Sequence, residues 1–290
     1  MQHSFQATLK ILGGAMGLIW LGCQSQPTAP HFKQEIIVNA YLLVGSAIDS
    51  LYLSQALPIN ESYHNEKAAI STDSIFISVD QKQFRLFEYA NKPGVYYLPA
   101  DSLVIQPGKR YFFRARVGDK VVRASTLVPE QIHITGLSTD TTYYPYPNPL
   151  LSQPLIISWE KTPTAAAYQI AVIARTHREL VDFGMEELIE SHLEAVDYDT
   201  ARIFPLVSDF PVSKYENSIE ILWIAFCYYG AYTIKVYAID QNLWDLVTSP
   251  VVYAPQSSEY EQPHYHIEGG QGIFAALSVD SVQVYIKRQE

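Results

Sequence analysis

The stretch Gly230 to Asp240, GAYTIKVYAID, constrains the fold more than any other part of the chain. It follows the turn Tyr228-Tyr229-Gly230. Tyr232, Ile234, Val236 and Ala238 then fall on one face, and Thr233, Lys235, Tyr237 and Ile239 on the other. A period of two is the signal of a sheet strand with one buried face. Such a face needs a second layer to cover it, so a chain built of similar stretches folds as packed sheets.

The first half is such a chain. Ile36 to Leu42 is rich in β-branched and aromatic residues. Ser74 to Asp80 alternates, Gln81-Lys82-Gln83 turns, and Phe84 to Tyr89 follows as the second arm of a hairpin. Asn91-Lys92-Pro93-Gly94 and Pro107-Gly108-Lys109 are turns in which Pro fixes one φ and Gly supplies a positive one. Arg110 to Val117 pairs across Gly118-Asp119 with Lys120 to Leu127. Seven or eight short strands with turns between them predict a β-sandwich over residues 35–129.

A second sandwich is expected over residues 130–290, opening at Ile132-His133-Ile134. Trp159, at the end of Leu155 to Trp159, resembles the strand-B core Trp of fibronectin type III domains. Ala167 to Ile173 fits their strand C, and Gly230 to Asp240 their strand F, in which Tyr232 would close the corner. Arg178 to Val196 breaks the pattern. Val181, Met185, Leu188, Ile189, His192, Leu193 and Val196 recur at three and four, with Glu186, Glu187 and Glu190 opposite. That spacing predicts an amphipathic helix inserted over about 178–196. It serves either as a cap on the sandwich or as a lid or partner surface. The expected fold class is therefore all-β: two consecutive β-sandwich domains, the second fibronectin type III/Ig-like with a helical insertion.

The N-terminus carries an address. Lys10 precedes the apolar run Ile11 to Leu21, which has the length of a signal-peptide core and is short for a membrane span. Leu21-Gly22-Cys23 resembles a bacterial lipobox, with Trp20 where that pattern usually has Leu. Residues 1–22 then form a lipoprotein signal peptide, Cys23 carries lipid, and 23–34 is a tether. The other reading is a plain secretory signal with an incidental Cys. Cys227, the second of two cysteines, lies in an apolar run and is expected to be an inert buried thiol. The net charge of -10 disfavours nucleic acid as a partner, because an acidic surface repels a phosphate backbone.

Motifs for chemistry are thin. Gly270-x-Gly272-x-x-Ala275 matches a dinucleotide fingerprint in letters, but no βαβ unit surrounds it, so the glycines are read as a tight turn. His264 and His266 share one side of an extended segment, with only Glu261 or Glu268 as a third ligand. Zinc takes three or four, so no metal is expected there. Asp240 to Asp245 lacks the ligand spacing of a calcium loop and is read as the turn between strands F and G. Asp197 and Asp199 are read as solvated. No nucleophile elbow and no His-Glu-x-x-His occurs. No catalytic residue and no cofactor is assigned, and a binding protein rather than an enzyme is expected. Tyr143, Tyr144 and Tyr146, in a Pro-stiffened loop, are the candidate ligand or partner surface, the alternative being that their rings cover the seam between domains.

The layout resembles a family of Bacteroidetes lipoproteins catalogued as domain of unknown function 4249. The resemblance rests on Cys23, Ile36 to Tyr41, Gly94-Val95-Tyr96, Pro107 to Tyr111 and above all Gly269-Gly270-Gln271-Gly272-Ile273-Phe274, with Ala275 a departure from the usual Gly. It implies an outer-membrane, lipid-anchored setting near TonB-dependent receptors and supplies no catalytic residues. Two functions are expected from it. One is a scaffold for an outer-membrane protein partner; the other is an accessory carbohydrate- or nutrient-binding lipoprotein.

Overall fold

The computed structural model describes residues 34–58, 60–146, 148–175, 181, 207–249 and 263–289. Cys23, expected to carry lipid, the acidic pair Asp197 and Asp199, and the expected helix at 178–196 apart from Val181 lie outside them. Val181 itself is buried, and its N–H donates to the Cys227 carbonyl at 3.1 Å.

The first half alternates as its sequence requires. In β1 (Ile36–Leu43), Ile36, Val38, Ala40 and Leu42 face inward. β2 (Leu51–Gln55) pairs with it antiparallel, and the short helix α1 (Asn65–Ala68) follows. β3 (Ile75–Val79) and β4 (Lys82–Arg85) form a hairpin. Its turn is Asp80-Gln81, both at positive φ (46° and 66°), one residue earlier than the sequence suggests. Two positive φ values match the twist of paired strands, which is why the register closes there. The expected strand Phe84 to Tyr89 is broken at Leu86. That residue is buried, and beyond it the chain enters the opposite sheet as β5 (Phe87–Tyr89). β6 (Lys92–Tyr97), β7 (Arg110–Val117) and β8 (Lys120–Leu127) complete this half.

The second half holds β9 (Ile134–Leu137), β10 (Thr141–Tyr143), β11 (Leu155–Trp159), β12 (Ala167–Ala174), β13 (Val207–Ser213), β14 (Ser218–Ile221) and β15 (Gly230–Ile239). After the helix α2 (Gln241–Val247) come β16 (Ile267–Glu268) and β17 (Gln271–Lys287). The sheet β14-β11-β9 faces β13-β12-β15-β17 across a core. Three strands facing four in this order is the fibronectin type III-like arrangement expected from Trp159, Tyr168 and Tyr232. All three are buried, and the Trp159 and Tyr168 rings meet edge-on at 5.2 Å.

The chain's end departs from expectation. Rather than forming only a tight turn at its glycines, the segment from Gln271 enters β17, which runs without a break to Lys287. Its first part, to Leu277, pairs parallel with β1; the rest pairs antiparallel with β15. One sheet therefore passes through both halves. The cores themselves divide between Val128 and Ile132, but Phe274 and Ala276 return to the first core, with Ile267 packed against it. Gly269 and Gly272 permit the return. Gly269, at φ 78°, turns the chain from the sheet of β8 into that of β1. Gly272, at φ 105°, lets β17 lie so close to β1 that any Cβ there would strike the Val38 carbonyl.

Tyr232 closes the corner as its position predicts. Its hydroxyl donates to the Tyr228 carbonyl at 2.9 Å and accepts from the Tyr228 N–H at 2.7 Å. Tyr144 is equally buried, yet its hydroxyl has no partner among the described residues. Two conservative substitutions should therefore diverge. Tyr232→Phe should destabilise the chain by about 1–3 kcal/mol, whereas Tyr144→Phe should be neutral or stabilising. Urea unfolding of both variants tests this; equal losses would contradict the assignment of the corner.

Candidate functional site: the cleft over the seam

At the end of β15 the chain turns at Asp240 into α2. Asp240 caps that helix by accepting from the Leu243 N–H at 2.9 Å, and accepts also from the Thr126 hydroxyl on β8. Asn242 donates through Nδ2 to the carbonyls of Ser125 and Phe274, both at 2.8 Å. Asp245 accepts from Gln241 Nε2 at 2.6 Å and pairs with His266 Nε2 at 2.7 Å. The Ser249 hydroxyl donates to the Asp245 carbonyl and accepts from the His264 N–H. These bonds tie α2 to β8, to β17 and to the segment leading into β16. Above them opens a cleft of about 750 Å³, lined by Arg110, Phe112, Arg123, Gln241, Tyr265 and His266.

Burial raises the Asp240 carboxyl to about 6. The Thr126 hydroxyl, the Leu243 N–H, a backbone contact with Ala276 and the nearby His266 each pull it partway back. The unfolded chain loses this proton near pH 4, the folded chain near pH 6. Between those values the folded state binds more protons, so stability falls as pH rises through that window and is level above it.

The cleft opens onto one face of the sheet β16-β8-β7-β3-β4. Alternation places Arg110, Phe112, Arg114 and Arg116 of β7 outward and Tyr111, Phe113 and Ala115 inward. Register sets a row across all five strands: Arg85 beside Phe76, Phe76 beside Arg114, Arg114 beside Arg123, and Arg123 beside Glu268. A second row holds Gln83, Ser78, Phe112 and Ser125. Five of the chain's nine arginines thus share this face, with Phe112 half-exposed (51%) at its centre. Only Arg123 has an acidic partner there, Glu268 at 3.2 Å; among the described residues the other four form no ion pair.

The far sheet carries a different outward surface. Tyr41 on β1, Tyr52 on β2, Tyr97 on β6, and Phe87 and Tyr89 on β5 share it. Tyr89 and Tyr97 stack at 4.3 Å, and Tyr41, Tyr52 and Phe87 are exposed.

The candidates drawn from the sequence separate. Tyr143 (53% exposed) and Tyr146 (52%) face solvent, the former beneath Lys287 Nζ at 5.7 Å. Tyr144 is not part of that surface. It is fully buried in the second core against Trp223 and Tyr229, because the chain just past β10, held by the Tyr144 N–H to the Lys287 carbonyl, turns it inward. These rings lie where β10 pairs with the last residues of β17, at the end of the second sandwich remote from the seam. His266 is held by Asp245, and no cluster of three metal-ligating side chains occurs among the described residues. The Asp240 to Asp245 segment is not a simple turn but the cap and first turns of α2. The Gly270 to Ala275 segment enters β17, so no strand–turn–helix forms around it. Cys227 is buried, and burial pushes its thiol pKa up. The arginine face escaped notice although RYFFRARV carries it openly: arginine occupies three of its four outward positions.

The family model described as a domain of unknown function (DUF4249) matches residues 25–283. No curated protein matches. Among solved structures, the chicken CNTN1 FN1–FN3 domains are 12% identical, covering 88% of this chain and 67% of that one at a TM-score of 0.29. A two-domain fibronectin type III segment from chicken tenascin is 10% identical, covering 81% and 97%, at a TM-score of 0.22. The fold assignment rests on the sheet order itself.

Asp240→Asn keeps a capping acceptor and removes the buried charge. It should gain stability over the unmodified chain at pH 7 by about 1–3 kcal/mol, with the gap closing towards pH 4. Unfolding midpoints across that range test this; parallel curves would remove Asp240 as the source.

Proposed function

The chain belongs to the DUF4249 family, and we propose that it is a non-enzymatic binding or scaffold protein of a bacterial envelope. In this reading Cys23 carries the lipid that holds it to the outer membrane, and the exposed sheet of the first sandwich engages an outer-membrane protein. The supporting observation is how the polar groups of the cleft are used. Asp245 and His266 are bonded to each other, Asp240 to the Leu243 N–H and the Thr126 hydroxyl, and Asn242 to backbone carbonyls of β8 and β17. What the rim offers a partner is guanidinium and ring surface, the material of recognition. An acyl chain contributes about 0.8 kcal/mol for each methylene buried in lipid, so two or three chains on Cys23 hold the protein firmly.

Growth with an alkyne-bearing palmitate should label the full chain and leave Cys23→Ala unlabelled and in the soluble fraction. An unlabelled, freely soluble wild-type chain would overturn the anchor.

A second reading, an accessory glycan- or nutrient-binding lipoprotein serving a TonB-dependent uptake system, is favoured by one observation. The outward tyrosines of β1, β2, β5 and β6 make an aromatic platform, and flat rings of this kind offer sugars an apolar face at low entropic cost. On a glycan array the full chain should then retain at least one glycan, and Tyr52→Ala should lose it. Retention undiminished in Tyr52→Ala would locate binding elsewhere.

A further inference from the structure

We infer that the outward face of β16-β8-β7-β3-β4 docks an extended acidic segment of a partner protein, laid along β7. This rests on the reading of the chain as a binding protein and names the chemistry that its partner must present.

The charge arrangement carries the inference. The chain has a net charge of -10, yet this one face gathers five guanidiniums, and among the described residues only Arg123 of the five forms an ion pair, with Glu268. Arg114 stands directly opposite Arg123. Like charges opposed across paired strands destabilise a sheet, so folding alone does not account for the pair. A ligand that supplies carboxylates does.

The geometry selects an extended polypeptide. Side chains on one face of a strand recur about every 6.8 Å, so Arg114 and Arg116 match carboxylates at alternate positions of an extended segment. Phe112 interrupts the arginine row between Arg110 and Arg114, and Phe76 lies beside Arg114. An apolar residue between the acidic ones would seat there, giving the apolar centre and charged rim common to protein interfaces. Arginine's planar fork suits bidentate pairing with carboxylates.

Phosphate-rich partners fit less well. A nucleic acid or an anionic bilayer extends far beyond the face and would meet the acidic remainder of the chain, whereas a short segment meets only the arginines.

The test uses the full chain in a non-ionic detergent and a fluorescent peptide of about nine residues, with glutamates at alternate positions around one central leucine. Anisotropy should show binding that weakens steeply between about 0.1 and 0.5 M salt and is absent when glutamine replaces glutamate. Arg114→Gln/Arg116→Gln should weaken binding roughly tenfold or more. Relief of the Arg114–Arg123 repulsion should leave its thermal midpoint no lower than that of the unmodified chain. Arg114→Glu/Arg116→Glu should take up the lysine version of the peptide, a gain that misfolding cannot mimic. Peptide binding unchanged in these variants, or no binding at all, would overturn the inference. So would arginine-dependent binding to phosphatidylglycerol vesicles without peptide binding. Labelling of Cys23 is read separately, so failure of the anchor and failure of this surface are distinguishable.

Discussion

Pairing along β17 is the interaction on which the rest of the structure depends. Seventeen residues, Gln271 to Lys287, give one end to β1 and the other to β15. The two cores could have been independent sandwiches joined by a linker. Because one strand completes both, the sheet is continuous, and residues 35–290 form one compact unit. The return of the chain also brings β16 to the edge of β8, which places Glu268 beside Arg123 and His266 beside Asp245. The cleft exists because the terminal segment comes back over the seam.

The hydroxyls of four buried tyrosines, Tyr96, Tyr111, Tyr168 and Tyr232, serve as braces. Tyr96 donates to the Ile70 carbonyl and accepts from the Thr72 N–H, both at 2.8 Å. Tyr111 accepts from the Gln106 N–H, Tyr168 from the Thr162 N–H, and Tyr232 from the Tyr228 N–H. In each case a ring fills a core while its hydroxyl satisfies the backbone of a loop that has left the sheet. Burial pushes the Tyr96 hydroxyl up to about 12, so it stays neutral and able to donate at any physiological pH. The bracing tyrosines are in this sense structural, while others, Tyr41, Tyr52, Tyr143 and Tyr146 among them, face solvent.

Much of the sandwich was legible because alternation is local. Gly118-Asp119 marks its hairpin, Trp159 and Tyr168 mark the second core, and Tyr232 announces its own corner. Other features depend on partners distant in sequence. Nothing near Leu86 says that its neighbours belong to different sheets; the buried side chain at the crossing decides it. Tyr143 and Tyr144 look equivalent in sequence, yet the last residue of β10 faces solvent and the next, held by its N–H to the Lys287 carbonyl, turns into the core. The cleft joins residues about 110–125, 240–245 and 265–268, and no spacing rule connects those three stretches.

By itself the sequence determined that the chain is all-β, that it is built of sandwiches with a fibronectin type III-like second half, and that Tyr232 locks the strand Gly230 to Ile239. Those properties follow from side-chain periodicity and turn chemistry, which act over a few residues. Only the tertiary structure decided that the strand after Gly272 serves both cores, that Asp240 is buried at their seam, and that five arginines separated by up to thirty-eight positions share one face. These depend on strand order and register, which long-range pairing sets and local pattern does not record.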